Sequence, residues 1–155
     1  MRKSGSRLRI VVHLVDARGG FQLTTEAFDR DMTDVFAMQE EIARSVVGAL
    51  KVRLTPQEDG ALATPPTRHV QAYDYYLRGR KFYYQFTRRE MEFALQLFSR
   101  AVELDRRYAL AHAGLADCWT YLYLYAERNE TLREQADAAS RRAVELAPDL
   151  AQAHA

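Results

Sequence analysis

The chain has 155 residues, 48% of them apolar, and its 22 basic and 21 acidic residues leave a formal net charge of +1. Such a composition supports a packed core and excludes general disorder, and the charge balance gives no reason to expect nucleic acid or a membrane surface as the main partner. The lone Cys118 excludes an intrachain disulfide framework and a multi-cysteine metal site, and no run of about 18 apolar residues marks a transmembrane helix.

The basic start, MRKSGSRLR, followed by IVVHLV superficially suggests a secretory signal. The apolar part is too short for one, contains His13, and runs into Asp16 and Arg18 instead of a small-residue cleavage site. LRIVVHLVDA (8–17) is instead predicted as a strand, with Ile10, Val12 and Leu14 on one side and Val11, His13 and Val15 on the other. DARGG supplies turn chemistry, so Gly19-Gly20 is read as a hairpin turn and not a phosphate loop, and FQLTTEAFD returns as the second arm. In the next segment Val35, Met38, Ile42, Val46 and Ala49 recur at helical spacing, with Thr33 or Asp34 as N-cap. A hairpin and one helix cannot cover their own apolar faces, so residues 1–54 are expected to be part of a larger α/β domain.

TPQEDGALATPPTRH (55–69) holds three of the four prolines and is predicted as a linker. Four helices are predicted after it: about 70–85, one following Thr87, about 108–126, and one capped by Thr131. Thr87 with Glu90, and Thr131 with Glu134, fit the S/T-x-x-E capping box. The buried stripes are Met91, Ala94, Leu95, Phe98, Ala101 and Val102 in the second helix, and Leu132, Ala136, Ala139, Ala143 and Leu146 in the fourth. AVELDRRYALAHA (101–113) returns forty-two residues later as AVELAPDLAQAHA (143–155), identical at eight of thirteen positions. Cap, stripe and motif repeat together, so the C-terminal part is an internal repeat of helical hairpins.

These residues resemble the tetratricopeptide repeat family. Tyr75, Gly79 and Phe82, then Ala94, Phe98 and Ala101, match the pattern of a first unit. His112, Leu115, Ala116 and Trp119, then Ala136, Ala143 and Pro148, match a second. Arg78, Arg106 and Ser140 depart from it, and extra residues between the helices stretch the period to one that a HEAT-type repeat would also have. The N-terminal segment is similar to the last strands and helix of a TolB-like α/β domain, on RLRI with LVDA, FDRDMTDVFAMQEEIA and, past the linker, AYDYYLRGR. In bacterial signalling proteins such a domain often precedes tetratricopeptide repeats and can follow an adenylate cyclase, a kinase or a winged-helix DNA-binding domain.

The predicted fold class is thus α+β overall: a short N-terminal β-hairpin plus helix, as a partial α/β domain, then an all-α tetratricopeptide-like helical-hairpin array. The expected domains are 1–54 (TolB-like segment), 55–69 (linker) and 70–155, the last divided into repeats at 70–108 and 109–150 and the start of a truncated third at 151–155. A fragment of a longer protein fits this plan.

The chemistry of catalysis is not visible. The phosphate-loop, dinucleotide and zinc-protease patterns are absent and the four histidines are scattered. Cys118 reads as a buried small hydrophobe, and Glu103 and Glu145 belong to the repeated AVEL. His112 and His154 hold the same repeat position and read as structural. The basic arm Arg2, Lys3, Arg7 and Arg9 reads as a solvated strand start, with no matching basic stripe elsewhere. The expectation is a non-enzymatic protein without catalytic residues, cofactor or metal.

By the resemblance, the first helix of each hairpin lines a concave groove. Position for position, this places Tyr73, Tyr76, Arg80, Tyr83 and Tyr84 from the first repeat on the groove, with Asp117, Thr120 and Tyr121 (and Leu110 and Ala113) from the second. Tyrosines with one arginine have the composition of a binding hot spot. The implied function is a scaffold for a protein or peptide ligand. The alternative is a regulatory segment of a larger signalling protein whose catalytic or DNA-binding domain lies elsewhere. Self-association through an uncovered C-terminal repeat face is expected, with no nucleic acid and no membrane segment. The expected compartment is the cytoplasm, or the periplasm if an upstream membrane anchor precedes the chain.

Overall fold

The computed structural model describes residues 2–4, 7–52 and 54–154. The fold is α+β, a small antiparallel sheet followed by six helices. It divides into two compact units, Met1–Pro65 and Pro66–Ala155.

In the first unit, β1 (Arg2–Ser4), β2 (Arg7–Val15) and β3 (Gln22–Asp31) form an antiparallel sheet in that order. The hairpin predicted from sequence is β2–β3, with Ile10 opposite Phe28 and Val12 opposite Glu26. The short β1 adds a strand that the hairpin reading did not include, pairing Arg2 with Arg9. The turn is built by Asp16, whose carboxylate accepts from the Arg18 amide at 3.0 Å, and by Gly20, whose φ of 68° favours a residue without Cβ. Alternation puts Leu8, Ile10, Val12 and Leu14 on one face, of which only Leu8 is fully buried.

A 3₁₀ turn (Met32–Asp34) leads into α1 (Val35–Leu50). Asp34 occupies the N-cap without a side-chain cap bond, since the preceding turn holds it at φ −100°, ψ 14°. α1 packs on β2 and β3, where Val35, Met38, Leu8 and Phe28 are buried, while Ile42, Val46 and Ala49 are half-buried. The segment predicted as a linker carries a helix of its own, α2 (Pro56–Ala63). Thr55 caps it: Glu58 Oε2 accepts from the Thr55 amide at 2.7 Å and Thr55 Oγ1 from the Glu58 amide at 3.3 Å, with Pro56 at the first helical position. Arg44 of α1 ties to it through Asp59 at 2.6 Å. The side chains of Arg2 and Lys3, half of the basic arm, lie outside the described residues.

The second unit holds α3 (Val70–Tyr83), α4 (Arg88–Leu104), α5 (Ala109–Tyr125) and α6 (Glu130–Leu146), packed as two antiparallel hairpins, and ends in a 3₁₀ turn (Ala151–Ala153). The α4 stripe is buried as its spacing predicts, at Met91, Ala94, Leu95, Phe98 and Ala101. Phe98 is fully buried, and a Cβ built on Gly79 of α3 or Gly114 of α5 would fall 2.7 or 2.8 Å from its ring. Glycine at both positions lets two helices close on one aromatic ring. Tyr76 and Tyr108 extend this core, the Tyr76 ring lying 5.7 Å from that of Phe98 and 5.2 Å from that of Tyr108.

Thr87 caps α4 as predicted, accepting from the Glu90 amide at 3.3 Å. The cap of α6 is Asn129 and not Thr131: Asn129 is extended (ψ 156°) and its Oδ1 accepts from the Leu132 amide at 2.9 Å, which leaves Thr131 inside the first turn. Along α6 only Ala143 is fully buried; Leu132, Ala136, Ala139 and Leu146 are half-buried. His112 Nε2 lies 3.2 Å from the Arg106 carbonyl, and His154 Nε2 lies 2.6 Å from the Pro148 carbonyl. The sequence repeat is therefore also a repeat of one hydrogen bond. Ala155, last of the predicted third-repeat residues, is outside the described set. No helix among the described residues is long and apolar enough to cross a membrane.

Candidate functional site

Helical spacing brings Tyr73, Tyr76, Arg80 and Tyr84 along one side of α3, and Asp117, Thr120 and Tyr121 along one side of α5. Their placements differ. Tyr73 and Tyr76 are each only 6% exposed. Both are therefore core residues and not surface ones, and Tyr108, from the α4–α5 turn, packs against the Tyr76 ring. The Tyr76 hydroxyl still serves the site, accepting from Arg80 Nη1 at 2.8 Å.

Arg80 is fixed from two sides. It also donates to the Tyr84 hydroxyl, and its guanidinium stands 4.8 Å over the Tyr84 ring and 5.8 Å over that of Tyr76. Its Nε is buried without a hydrogen-bond partner. Beyond it runs a continuous aromatic ladder. Tyr83 stacks edge-on to Tyr84 at 5.5 Å and meets Phe86 at 5.5 Å; Phe86 meets Tyr121 at 6.2 Å, and Tyr121 meets Tyr125 at 5.0 Å. The α3–α4 turn joins α5 through the Tyr121 hydroxyl, which donates to the Phe86 carbonyl at 2.6 Å. Phe86 has φ 50°, a left-handed conformation uncommon outside glycine, and this aims its half-exposed ring across the groove.

The ladder walls a cavity of about 350 Å³, whose lining includes Tyr83, Phe86, Ala113, Ala116, Asp117, Thr120, Tyr121, Leu124, Tyr125, Ser140 and Gln152. Asp117 is the one charged residue in that set. Burial raises its carboxyl above the ordinary aspartate value, partly offset by the positive charge of Arg80. Burial also raises the Tyr83 phenol, and the charge of Asp117 adds to this.

The cavity thus joins Tyr83, Asp117, Thr120 and Tyr121 of the predicted residues, with Arg80 and Tyr84 alongside. Phe86, Tyr125, Ser140 and Gln152 complete it. Tyr125 was open to discovery from sequence, four residues after Tyr121 on one helix face. Phe86 was not, because its direction depends on a turn conformation.

A larger cleft, about 720 Å³, lies along α4 and the α5–α6 turn, with Leu95, Trp119, Leu122 and Leu132 at its apolar base, and contains none of the predicted residues. Four of its five charged lining residues pair on their own helix, Arg88 with Glu92 at 3.1 Å and Arg100 with Glu103 at 2.5 Å, and the fifth, Glu127, lies in the α5–α6 turn. The smaller cavity is the better candidate: four rings of the aromatic ladder wall it, and its carboxylate is held against burial. Cys118 is fully buried, and burial pushes its thiol up to about 12, so it stays an unreactive thiol at neutral pH. Among the described residues no group of three His, Cys, Asp or Glu side chains could hold a metal ion.

No protein-family profile matches the chain. Over 116 residues, 75% of its length, it is 34% identical to a protein of Rhizobium meliloti (strain 1021) named "Putative adenylate cyclase 3". The two are distant homologues. The chain spans 20% of that protein's length, so the similarity is to one segment of a much longer polypeptide.

Proposed function

We propose that this chain is a non-enzymatic interaction segment of the tetratricopeptide type, taking a peptide or partner domain in the groove between α3 and α5. The observation that carries this is the Tyr84–Tyr83–Phe86–Tyr121–Tyr125 ladder, held by Arg80 and by the Tyr121 hydroxyl. Leaving this much aromatic surface partly exposed has a cost in water, which contact with a partner removes. Fixed rings lose little entropy on binding, so the groove is prepared in advance. An array of random decapeptides probed with the whole chain tests this. Selective spots that Tyr121→Ala weakens while its melting curve stays cooperative are the expected result. A blank array, or spots indifferent to Tyr121, would overturn the proposal.

The relative's name favours a second reading, in which the segment belongs to the regulatory part of a cyclase-like signalling protein. Exchanging the matching region of the Rhizobium protein for this chain and assaying its cyclase activity tests that assignment. Retained, regulated output supports it, and the purified chain alone should turn over no ATP.

A further inference from the structure

The aromatic cavity between α3 and α5 combines four rings with one acid. We infer that this cavity receives a cationic side chain, a lysine or arginine of the bound segment, between the rings of Tyr83, Phe86, Tyr121 and Tyr125 with Asp117 as counter-ion. The inference rests on the groove proposed above and specifies the chemistry of its occupant.

Three observations converge. The faces of aromatic rings carry negative potential and attract cations, and four rings of one continuous ladder line the cavity. The charged group among the lining residues is an acid, Asp117; the others are apolar or neutral. The neighbouring cation does not satisfy it. Arg80 is held by the hydroxyls of Tyr76 and Tyr84, and no Arg80–Asp117 ion pair forms within 4.0 Å. Asp117 therefore stays partly desolvated without a partner, a cost that an incoming cation would offset.

Size agrees. At about 350 Å³ the cavity lies at the low end of the range for ligand sites, about 300–1,000 Å³. That suits one side chain with its adjoining backbone. An acidic segment is disfavoured because both terminal nitrogens of Arg80 already donate to tyrosine hydroxyls and Arg80, whose Nε is buried, is not among the lining residues.

The experiment titrates the whole ¹⁵N-labelled chain with three blocked pentapeptides, alanines flanking a central lysine, norleucine or glutamate. Lysine should shift the amide signals of Thr120, Tyr121 and Gln152 at about fivefold lower concentration than norleucine. Asp117→Asn should abolish that difference and keep the norleucine response. The wild-type comparison decides the matter even should the variant fold poorly. Equal responses to lysine and norleucine, both weakened by Tyr121→Ala, would overturn the cation site and leave the groove standing. Stronger binding of the glutamate peptide would overturn the cation site as well. Silence from all three peptides would remove site and groove together.

Discussion

Asp117 and His112 sit on one helix and titrate in opposite senses. Burial raises the Asp117 carboxyl, so the folded form holds its proton more tightly than the unfolded chain. Stability therefore falls as pH rises from the ordinary aspartate value, about 3.9, through the raised one. Burial lowers the His112 imidazole, against the opposing pull of the Arg106 carbonyl and with the Arg142 charge acting in the same direction as burial. Here the unfolded chain binds the proton first, and stability is lost as pH falls below about 6.5. Thermal melts against pH should separate the two. Asp117→Asn is expected to raise the midpoint at neutral pH, and His112→Gln to flatten the loss between pH 7 and 5. A midpoint that Asp117→Asn lowers at neutral pH would mean that the carboxylate is stabilised by a contact of its own. Residue types at the site were legible in sequence, because hot-spot chemistry and helical spacing are both written there. Burial was not: Tyr73 and Tyr76 share a stripe with Arg80 and Tyr84, and only the fold shows that Tyr108 closes over one end of it.

At the scale of the helices, two glycines and one ring decide how closely α3, α4 and α5 approach. Alanine at Gly79 or Gly114 gains about 1 kcal/mol of helix propensity. It also pushes a methyl into the Phe98 ring at 2.7 or 2.8 Å, and Phe98, fully buried, has no room to move. Overpacking of this kind costs about 1–3 kcal/mol, so each substitution should be a net loss. In a unit of this size the melting midpoint falls about 4–8 °C per kcal/mol. Adding Phe98→Leu should make Gly79→Ala cheaper than it is beside phenylalanine, a coupling that a double-mutant cycle measures; strict additivity would refute the clash. Helix caps give a second prediction. Asn129→Ala should cost about 1 kcal/mol, while Thr131→Ala should be close to neutral. The S/T-x-x-E pattern occurs at Thr55, Thr87 and Thr131, yet only the first two are caps. At Thr131 a better acceptor stands two residues earlier and starts the helix first. At Thr55 the clustered prolines concealed a cap whose Pro56 is in fact favourable at the first helical position.

The whole molecule is a sheet-and-helix unit and a pair of helical hairpins, and the second was the more legible because its sequence repeats. The forty-two-residue offset reappears as the same bond from His112 to the Arg106 carbonyl and from His154 to the Pro148 carbonyl, a polar brace at one repeat position. β1 and α2 were not legible, since one is three residues long and the other eight, too short for periodicity to speak. Hairpin arrays bury each apolar face against the next, so an outermost helix with no neighbour stays partly open. Along α6, four of the five stripe residues are only half-buried, and the 3₁₀ turn at Ala151–Ala153 packs at the α5–α6 end without amounting to a further helix. Residues 1–155 as an isolated polypeptide are therefore expected to associate through α6, each copy covering the half-buried stripe of the other. Circular dichroism melts over a hundredfold range of concentration should show the midpoint rising with concentration. Leu132→Lys with Ala139→Glu, both on the half-buried stripe, should remove that dependence and leave a monomer. A monomer whose high midpoint ignores concentration would instead mean that the half-buried stripe of α6 is sufficiently stable in water.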